Sequence, residues 1–360
     1  ATQKSLTEMG IEREAQVVEL TEQQFAILDL CIAMPKFSIL GSAGCGKTYI
    51  AIEQARRRAA AGDRVLFLCY NYGLSEYIRR RFEGFEHLEQ LVIGTLHSLG
   101  NKLGMQGERG SGDGYWDSVL PDQLVEHLKN MPDELKYDTI IIDEAQDFHA
   151  DWWRVVIGAL RDEDKGRIYA FGDIRQGIFR QATDIPLQQS KLHLDKNLRN
   201  ALPIAQLAAL CVEEPLDLIG LDGPPVQWVE STNEEAEAAA NEEVKKLISQ
   251  GWKLRDICVL TTGSRHELQR TQGDGAMSRP YWKRYFEEES VYHCTIGGFK
   301  GLERRAVVIA MNGWKDPDRK KDILYTGITR ARDLLIICGS KEEITQSGGK
   351  EFFKKLSRGA

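Results

Sequence analysis

The chain has 360 residues, 42% of them hydrophobic and 28% charged, with 7 cysteines and a formal net charge of −7. That length suits two domains with cores of their own, and that composition excludes a chain disordered throughout. No apolar run approaches the roughly 20 residues of a membrane span, and a net negative charge argues against a general polyanion binder, although such a chain can hold nucleic acid along one local track.

In chain order, "KFSIL" (Lys36 to Leu40) reads as a short apolar strand, and "KTYIAIEQARRRAAAG" as a helix that stops at Gly62. "RVLFLCY" is a strand, "GLSEYIRRRFEGF" a helix, "LVIGTLHSL" a strand and turn, and "TIIID" and "RIYAF" two further strands. This alternation predicts an α/β domain with a mainly parallel sheet covered on both faces, spanning residues 1–190. From Lys191 the style repeats, which predicts a second α/β domain over 191–360. "KLHL" is a strand, "ALPIAQLAALCVEE" a helix and "PVQWVES" a strand; an amphipathic helix over "NEEAEAAANEEVKKLISQG" follows. Strands "DICVLTT" and "RAVVIAMNG" then precede a helix around "DILYTGITRARD" and a last strand "LLIICGS". Gly-rich "GMQGERGSGDGYW" (Gly104 to Trp116) and "TQGDGAMSRPYW" (Thr271 to Trp282) read as flexible surface loops. The basic runs Arg56 to Arg58 and Arg79 to Arg81 lie on predicted helices and read as solvated faces.

The cysteines show no C-x-x-C spacing, and Cys69, Cys258 and Cys338 lie in strand-like runs. Core thiols in a reducing cytosol are the expectation, with neither a disulfide framework nor a zinc site. The polar start "ATQKSLTEMG" has no signal-peptide core and does not begin with Met, as expected of a processed form or a piece of a longer protein.

Two stretches carry chemistry. "GSAGCGKT", Gly41, Ser42, Ala43, Gly44, Cys45, Gly46, Lys47 and Thr48, fits G-x-x-x-x-G-K-[ST] between a predicted strand and a predicted helix. Its glycines let the backbone wrap a phosphate, the helix start offers N–H groups, Lys47 offers charge and the Thr48 hydroxyl a Mg²⁺ ligand. "TIIIDEAQDF" ends a buried strand in two adjacent carboxylates, which repulsion and desolvation both oppose. Beside a phosphate site they become tolerable: Asp143 holds Mg²⁺ and Glu144 orients and deprotonates the attacking water. A solvated turn at the strand end is the plainer alternative.

With these and the motifs between them, the sequence resembles a superfamily 1 helicase of the UvrD/Rep type, from about Leu20 to about Gly339. The resemblance implies two RecA-like P-loop domains with ATP in the cleft between them. "LTEQQ" is similar to the Q motif, implying that Gln24 reads the adenine, although Thr21 and Gln24 also form a capping-box pattern. "LCYNYGL" and "GTLHSL" stand where the family has motifs Ia and Ib, implying nucleic-acid contacts by Tyr70, Asn71, Thr95, His97 and Ser98. "FGDIRQGIF" resembles motif III, with Gln176 sensing the γ-phosphate and Phe179 stacking on a base. "LDKNLRN" resembles motif IV, with Arg199 reaching the γ-phosphate. "TIGGFKGLE" resembles motif V, with Thr295 and Lys300 on DNA and Glu303 on the ribose. "LYTGITRAR" resembles motif VI, with Arg330 as the arginine finger.

The sequence departs from the family at Gln181, where tryptophan is usual, at Leu198, where tyrosine usually stacks on adenine, and at Gly297, where histidine is frequent. The large inserted subdomains of UvrD/Rep enzymes are reduced to short segments. The resulting expectation is a cytoplasmic, monomeric, Mg²⁺- and ATP-dependent translocase on single-stranded DNA, 3′→5′, with a 3′-tailed duplex as the helicase substrate. Its rivals are an ATP-gated binding or signalling module, such as the motor part of a longer nuclease-linked protein, and a motor on RNA.

Overall fold

The computed structural model describes residues 28–29, 34–105, 114–173, 191–194, 199–212, 222–271, 279–287 and 290–358. The chain forms two compact units, one built on residues 18–41 and 46–194 and the other on 42–45 and 195–360.

In the N-terminal unit, strands β1 (Lys36–Gly41), β2 (Val65–Cys69), β3 (Leu91–Thr95), β4 (Thr139–Asp143), β5 (Arg167–Gly172) and β6 (Lys191–Leu194) form one sheet. Its order is β3-β2-β4-β5-β1-β6 and every pairing is parallel. Helices α1 (Lys47–Ala60), α2 (Tyr72–Arg81), α3 (Leu96–Lys102), α4 (Leu120–Lys129) and α5 (Ala150–Gly158) provide the cover. Strand side chains alternate between faces. Leu66, Leu68, Ile140, Ile142, Ile168 and Ala170 share one buried face with Leu124 and Leu128 of α4 and Trp152 and Val155 of α5. Phe37 and Tyr169 point to the other face, with ring centroids 4.7 Å apart. Burial on both faces explains why these strands read as unbroken apolar runs.

The C-terminal unit has a second parallel sheet, of order β7-β11-β10-β8-β9. Its strands are β7 (Gln227–Val229), β8 (Ile257–Thr261), β9 (Tyr292–Thr295), β10 (Arg304–Ala310) and β11 (Ala331–Cys338). Its helices are α6 (Leu202–Ala209), α7 (Ala236–Ser249), α8 (Glu267–Thr271), α9 (Arg279–Glu287), α10 (Lys320–Ile328), α11 (Lys341–Gly348) and α12 (Lys350–Leu356). Two parallel-sheet α/β units match the expected fold class. No helix among the described residues is long and apolar enough to cross a membrane. Of the cysteines, Cys45, Cys69, Cys211, Cys258, Cys294 and Cys338 are buried and unbridged.

Several elements differ from expectation. "KLHL" does not open the second unit: β6 pairs with β1, Ser38 opposite Lys191 and Gly41 opposite Leu194, so the first sheet runs to Leu194. The turn after β3 is the helix α3, started by a reciprocal capping box. Thr95 Oγ1 accepts from the Ser98 amide at 3.2 Å, and Ser98 Oγ from the Thr95 amide at 3.0 Å. The helix around "DILYTGITRARD" ends at Ile328, and Ala331 already opens β11. The aromatics of the Gly-rich stretches are packed rather than in surface loops. Trp116 lies in a helical turn over Tyr115–Val119 and its carbonyl accepts from Trp152 Nε1 at 3.2 Å. Tyr281 and Trp282 are buried in α9. Burying a large ring outweighs the glycine-rich composition beside it. The basic runs are tied down locally: Arg57 pairs with Glu53 and Asp29, Arg58 with Asp63, and Arg79 with Glu76.

One packing constraint carries a prediction. Gly327, inside α10, is so close to the β-sheet side that an added Cβ would lie 2.6 Å from Ile296 Cδ1 and 3.2 Å from Ile309 Cδ1. Alanine is normally favoured over glycine in a helix by about 1 kcal/mol. Here Gly327→Ala is expected to destabilise, by roughly 1–3 kcal/mol of overpacking, and Ile296→Val, which deletes the nearest methyl, to recover part of the loss in the double variant. Denaturant midpoints of the four proteins check this; a stabilised single variant contradicts it.

Candidate nucleotide site and nucleic-acid loops

The phosphate loop leaves the buried strand β1 at Gly41 and enters α1 at Lys47. Gly44 (φ 78°) and Gly46 (φ 87°) take left-handed backbone, which any side chain would strain. Gly46 caps α1 without a side chain, and the first turn of the helix holds no acidic residue. The helix start thus presents amides and positive dipole to an anion. Lys47 Nζ donates to the Gly41 carbonyl at 2.9 Å, which folds the ammonium back over the loop.

The second part comes from β4. Thr48 Oγ1 donates to Asp143 Oδ2 at 2.6 Å, joining the start of α1 to the end of a strand 95 residues on. Glu144 follows directly, with φ 55° and ψ 43°, and among the described residues it is the non-glycine residue with positive φ. Left-handed backbone costs a side-chain-bearing residue about 1–2 kcal/mol, and strain of this kind gathers at functional sites. Both carboxylates are buried. Burial first, and the neighbouring Glu144 charge second, push the Asp143 carboxyl up to about 6, against the pull of the Thr48 hydroxyl and Lys47. The site therefore has a hydroxyl–carboxylate oxygen pair with a second carboxylate beside it. That donor set fits Mg²⁺, which is held by one or two protein oxygens plus nucleotide phosphates.

The sequence reading missed what holds Glu144. Gln146 Nε2 donates to Glu144 Oε2 at 2.6 Å, and Gln146 Oε1 accepts from the Asp173 amide at 3.0 Å, just beyond β5. Gln146 thus ties the strained residue to the neighbouring strand end. The available signal was a glutamine two residues after the carboxylate pair, in "DEAQ".

In the C-terminal unit, Arg199 Nε pairs with Glu303, and Arg332 Nη1 lies 3.7 Å from the other Glu303 oxygen. Burial works to raise the Glu303 carboxyl, but Arg199, Arg332 and Arg330 together hold it below the usual range. Glu303, expected on a ribose, is here an anchor for arginines. Arg330 is 1% exposed and sits in the turn between α10 and β11. Its guanidinium donates to the Thr326 carbonyl at 3.0 Å, the Leu302 carbonyl at 3.3 Å and Thr329 Oγ1 at 3.1 Å. Asn200, also missed, fixes that turn by donating to the Thr329 and Ala331 carbonyls at 3.2 and 2.5 Å. Thr295 Oγ1 accepts from the Gly298 amide at 3.2 Å, and Lys300 is fully buried.

The motif Ia and Ib residues stand on the same sheet edge as Asp143: Cys69 of β2 is in register with Asp143 on one side and Thr95 of β3 on the other. Asn71 Oδ1 caps α2 by accepting from the Leu74 amide at 2.8 Å. Thr95 and Ser98 form the capping box of α3. Tyr70 and His97 are half-buried against aromatic neighbours, ring to ring 6.3 Å apart. Gln24, Gln176 and Phe179, like Gln181 and Leu198, lie outside the described residues.

Comparison with known proteins finds two family profiles. An AAA domain matches residues 23–181 and a UvrD-like helicase C-terminal domain matches residues 290–338, more than half of the chain between them. No curated protein matches significantly. Among solved structures, the chain is similar to the nonstructural protein 10 helicase of Arterivirus in complex with DNA, at 11% identity and a TM-score of 0.45, over 92% of this chain and 66% of that one. A second structure of that Arterivirus helicase gives 12% identity and a TM-score of 0.41, over 92% and 64%. The chain thus spans just under two thirds of the length of these structures.

The raised Asp143 carboxyl gives a pH prediction. Its ordinary value is 3.8, so the folded chain keeps a proton there that the unfolded chain releases. Its stabilising contribution is complete below that value and is lost as pH rises through about 6. Asp143→Asn, which cannot ionise, is expected to melt higher than the parent at pH 7.5 without nucleotide or metal, with the gap closing toward pH 4. Thermal melts across that range check this, and equal melting temperatures at pH 7.5 contradict it.

Proposed function

We propose that this chain, which belongs to the UvrD-like superfamily 1 helicases, is a Mg²⁺-dependent ATPase that moves 3′→5′ along single-stranded DNA. The observation that carries the ATPase reading is the Thr48–Asp143 hydrogen bond, with the strained Glu144 beside it and Gln146 holding its carboxylate. The residues from Gly41 to Thr48 bind the phosphates, through loop amides and the Lys47 ammonium. Thr48 and Asp143 would hold Mg²⁺, which when bound neutralises the developing phosphate charge. Glu144, next to that position and pinned by Gln146, orients a water and takes its proton.

Arg330 and Arg199 are the proposed cations that the C-terminal unit brings to the γ-phosphate, a role that rests on their places in motifs VI and IV. Such a finger is typically worth roughly 10³–10⁵ in rate. Gln24 and Gln176 are proposed for the adenine and the γ-phosphate on the same grounds, and Phe179, Thr295 and Lys300 for the DNA track.

A second reading, an ATP-gated clamp that does not travel, is favoured by the engagement of Asn71, Thr95 and Ser98 as helix caps and by the burial of Lys300. These leave fewer polar groups to grip a strand. Steady-state ATPase rate over a series of single-stranded DNA lengths separates the two. A motor predicts stimulation that grows with length, a clamp stimulation that does not, and the same series in RNA tests the nucleic-acid class. Indifference to every nucleic acid refutes both.

Two substitutions test the site. Lys47→Ala is expected to abolish nucleotide binding in a direct titration; unchanged affinity overturns the phosphate-loop assignment. Arg330→Ala is expected to spare nucleotide binding, to lower the melting temperature because three hydrogen bonds go, and to cut turnover at least tenfold. A normal turnover number removes its role as the finger.

A further inference from the structure

One side chain touches both proposed nucleic-acid loops of the N-terminal unit and the turn that carries Glu144. Trp152, in the first turn of α5, is 1% exposed. Its ring stacks on Tyr70, with centroids 5.9 Å apart and planes 21° from parallel. His97 meets it edge-on at 4.9 Å, and Phe148 does so at 5.2 Å from another side. Its indole N–H donates to the Trp116 carbonyl, and the Trp116 ring closes on His97 at 5.2 Å.

Each neighbour leads elsewhere. Tyr70 follows β2, and His97 lies in the first turn of α3, after β3. Phe148 ends the tight turn that begins at Glu144: the Asp147 amide donates to the Glu144 carbonyl at 3.0 Å, and the Phe148 amide to the Ala145 carbonyl at 3.1 Å. The Glu144 backbone is strained there, so its conformation depends on contacts that hold the turn. Packed rings at this density shift between discrete arrangements rather than deforming smoothly.

We infer that Trp152 is the positioning residue that couples the nucleotide site to the nucleic-acid loops, by passing movement of Tyr70 and His97 through Phe148 to the turn holding Glu144. This rests on the proposed reading of those loops as contacts for single-stranded nucleic acid. Trp152 itself touches neither nucleotide nor strand. The linkage runs inside one unit and needs no residue of the motif III segment.

The test is a linkage cycle, since coupling between two ligands is reciprocal. The dissociation constant of a fluorescent oligo-dT is measured by anisotropy with and without Mg²⁺ and a non-hydrolysable ATP analogue. In the parent chain the analogue is expected to change it at least fivefold. In Trp152→Leu the change is expected to fall within twofold, while analogue affinity without DNA stays within twofold of the parent. Trp152→Phe, which keeps a ring for Tyr70 and Phe148, is expected to restore most of the coupling. If Trp152→Leu does not fold, Trp152→Met, unbranched and of closer volume, takes its place. A parent chain without linkage overturns the loop reading and the inference together. A linked parent with an equally linked Trp152→Leu, or a Trp152→Phe as uncoupled as the leucine variant, overturns the inference alone.

Discussion

Two carboxylates stand side by side at the buried end of β4, and much of the N-terminal unit is arranged around that charge. Neither repulsion nor desolvation favours the pair, and the lift in the Asp143 carboxyl registers both. The Thr48 hydroxyl and the Glu144 amide each donate to one Asp143 oxygen, Gln146 donates to Glu144, and the Lys47 charge pulls on Asp143. Two carboxylates beside a threonine hydroxyl suit a divalent cation, and the amides of the adjacent helix start suit the phosphates that accompany one. The strained backbone at Glu144 fits the same account: the residue is held by Gln146 in a conformation that a solvated turn would relax.

Strand order places everything else. The phosphate loop follows β1 and the carboxylates follow β4, with β5 between them supplying the Asp173 amide that steadies Gln146. On the far side, β2 and β3 end level with Asp143, so their loops reach the same edge of the sheet. A parallel sheet puts all its strand ends with carboxyl termini on one side, where ligands of open α/β folds gather. The aromatic cluster around Trp152 fills the space beneath those loops and gives them a common mechanical support.

How much of this was legible in the sequence follows from how local each signal is. The phosphate loop, the strand "TIIID" and the alternation of strand and helix rest on neighbours within a few residues, and all are present. The assignment of "KLHL" to the second unit fails because a four-residue alternation of polar and apolar side chains marks a strand but not the sheet it joins; β6 is captured by β1, some 150 residues earlier. The helix around "DILYTGITRARD" is shorter than its sequence suggests because nothing local marks its end at Ile328; the turn beyond is held by Asn200, which donates to carbonyls 129 and 131 positions away. Gln146 carries little local signal for a related reason, its second partner being an amide 27 residues on. Asn71, Thr95 and Ser98 carry functional expectations in the sequence, and the structure displays their capping duties: the T-x-x-S spacing after β3 signals the box of Thr95 and Ser98, whereas Asn71 caps α2 as a lone N-cap asparagine.

The central claim is that Glu144, and not merely the acidic end of β4, performs the hydrolytic step. Glu144→Gln removes the base while keeping its shape, its backbone and a partner for Gln146. In a single-turnover measurement with excess protein over Mg²⁺-ATP, in the presence of single-stranded DNA, nucleotide affinity is expected to stay within about threefold of the parent and the rate of phosphate formation to fall at least a hundredfold. A variant that binds ATP normally and still cleaves it at the parental rate would contradict the account.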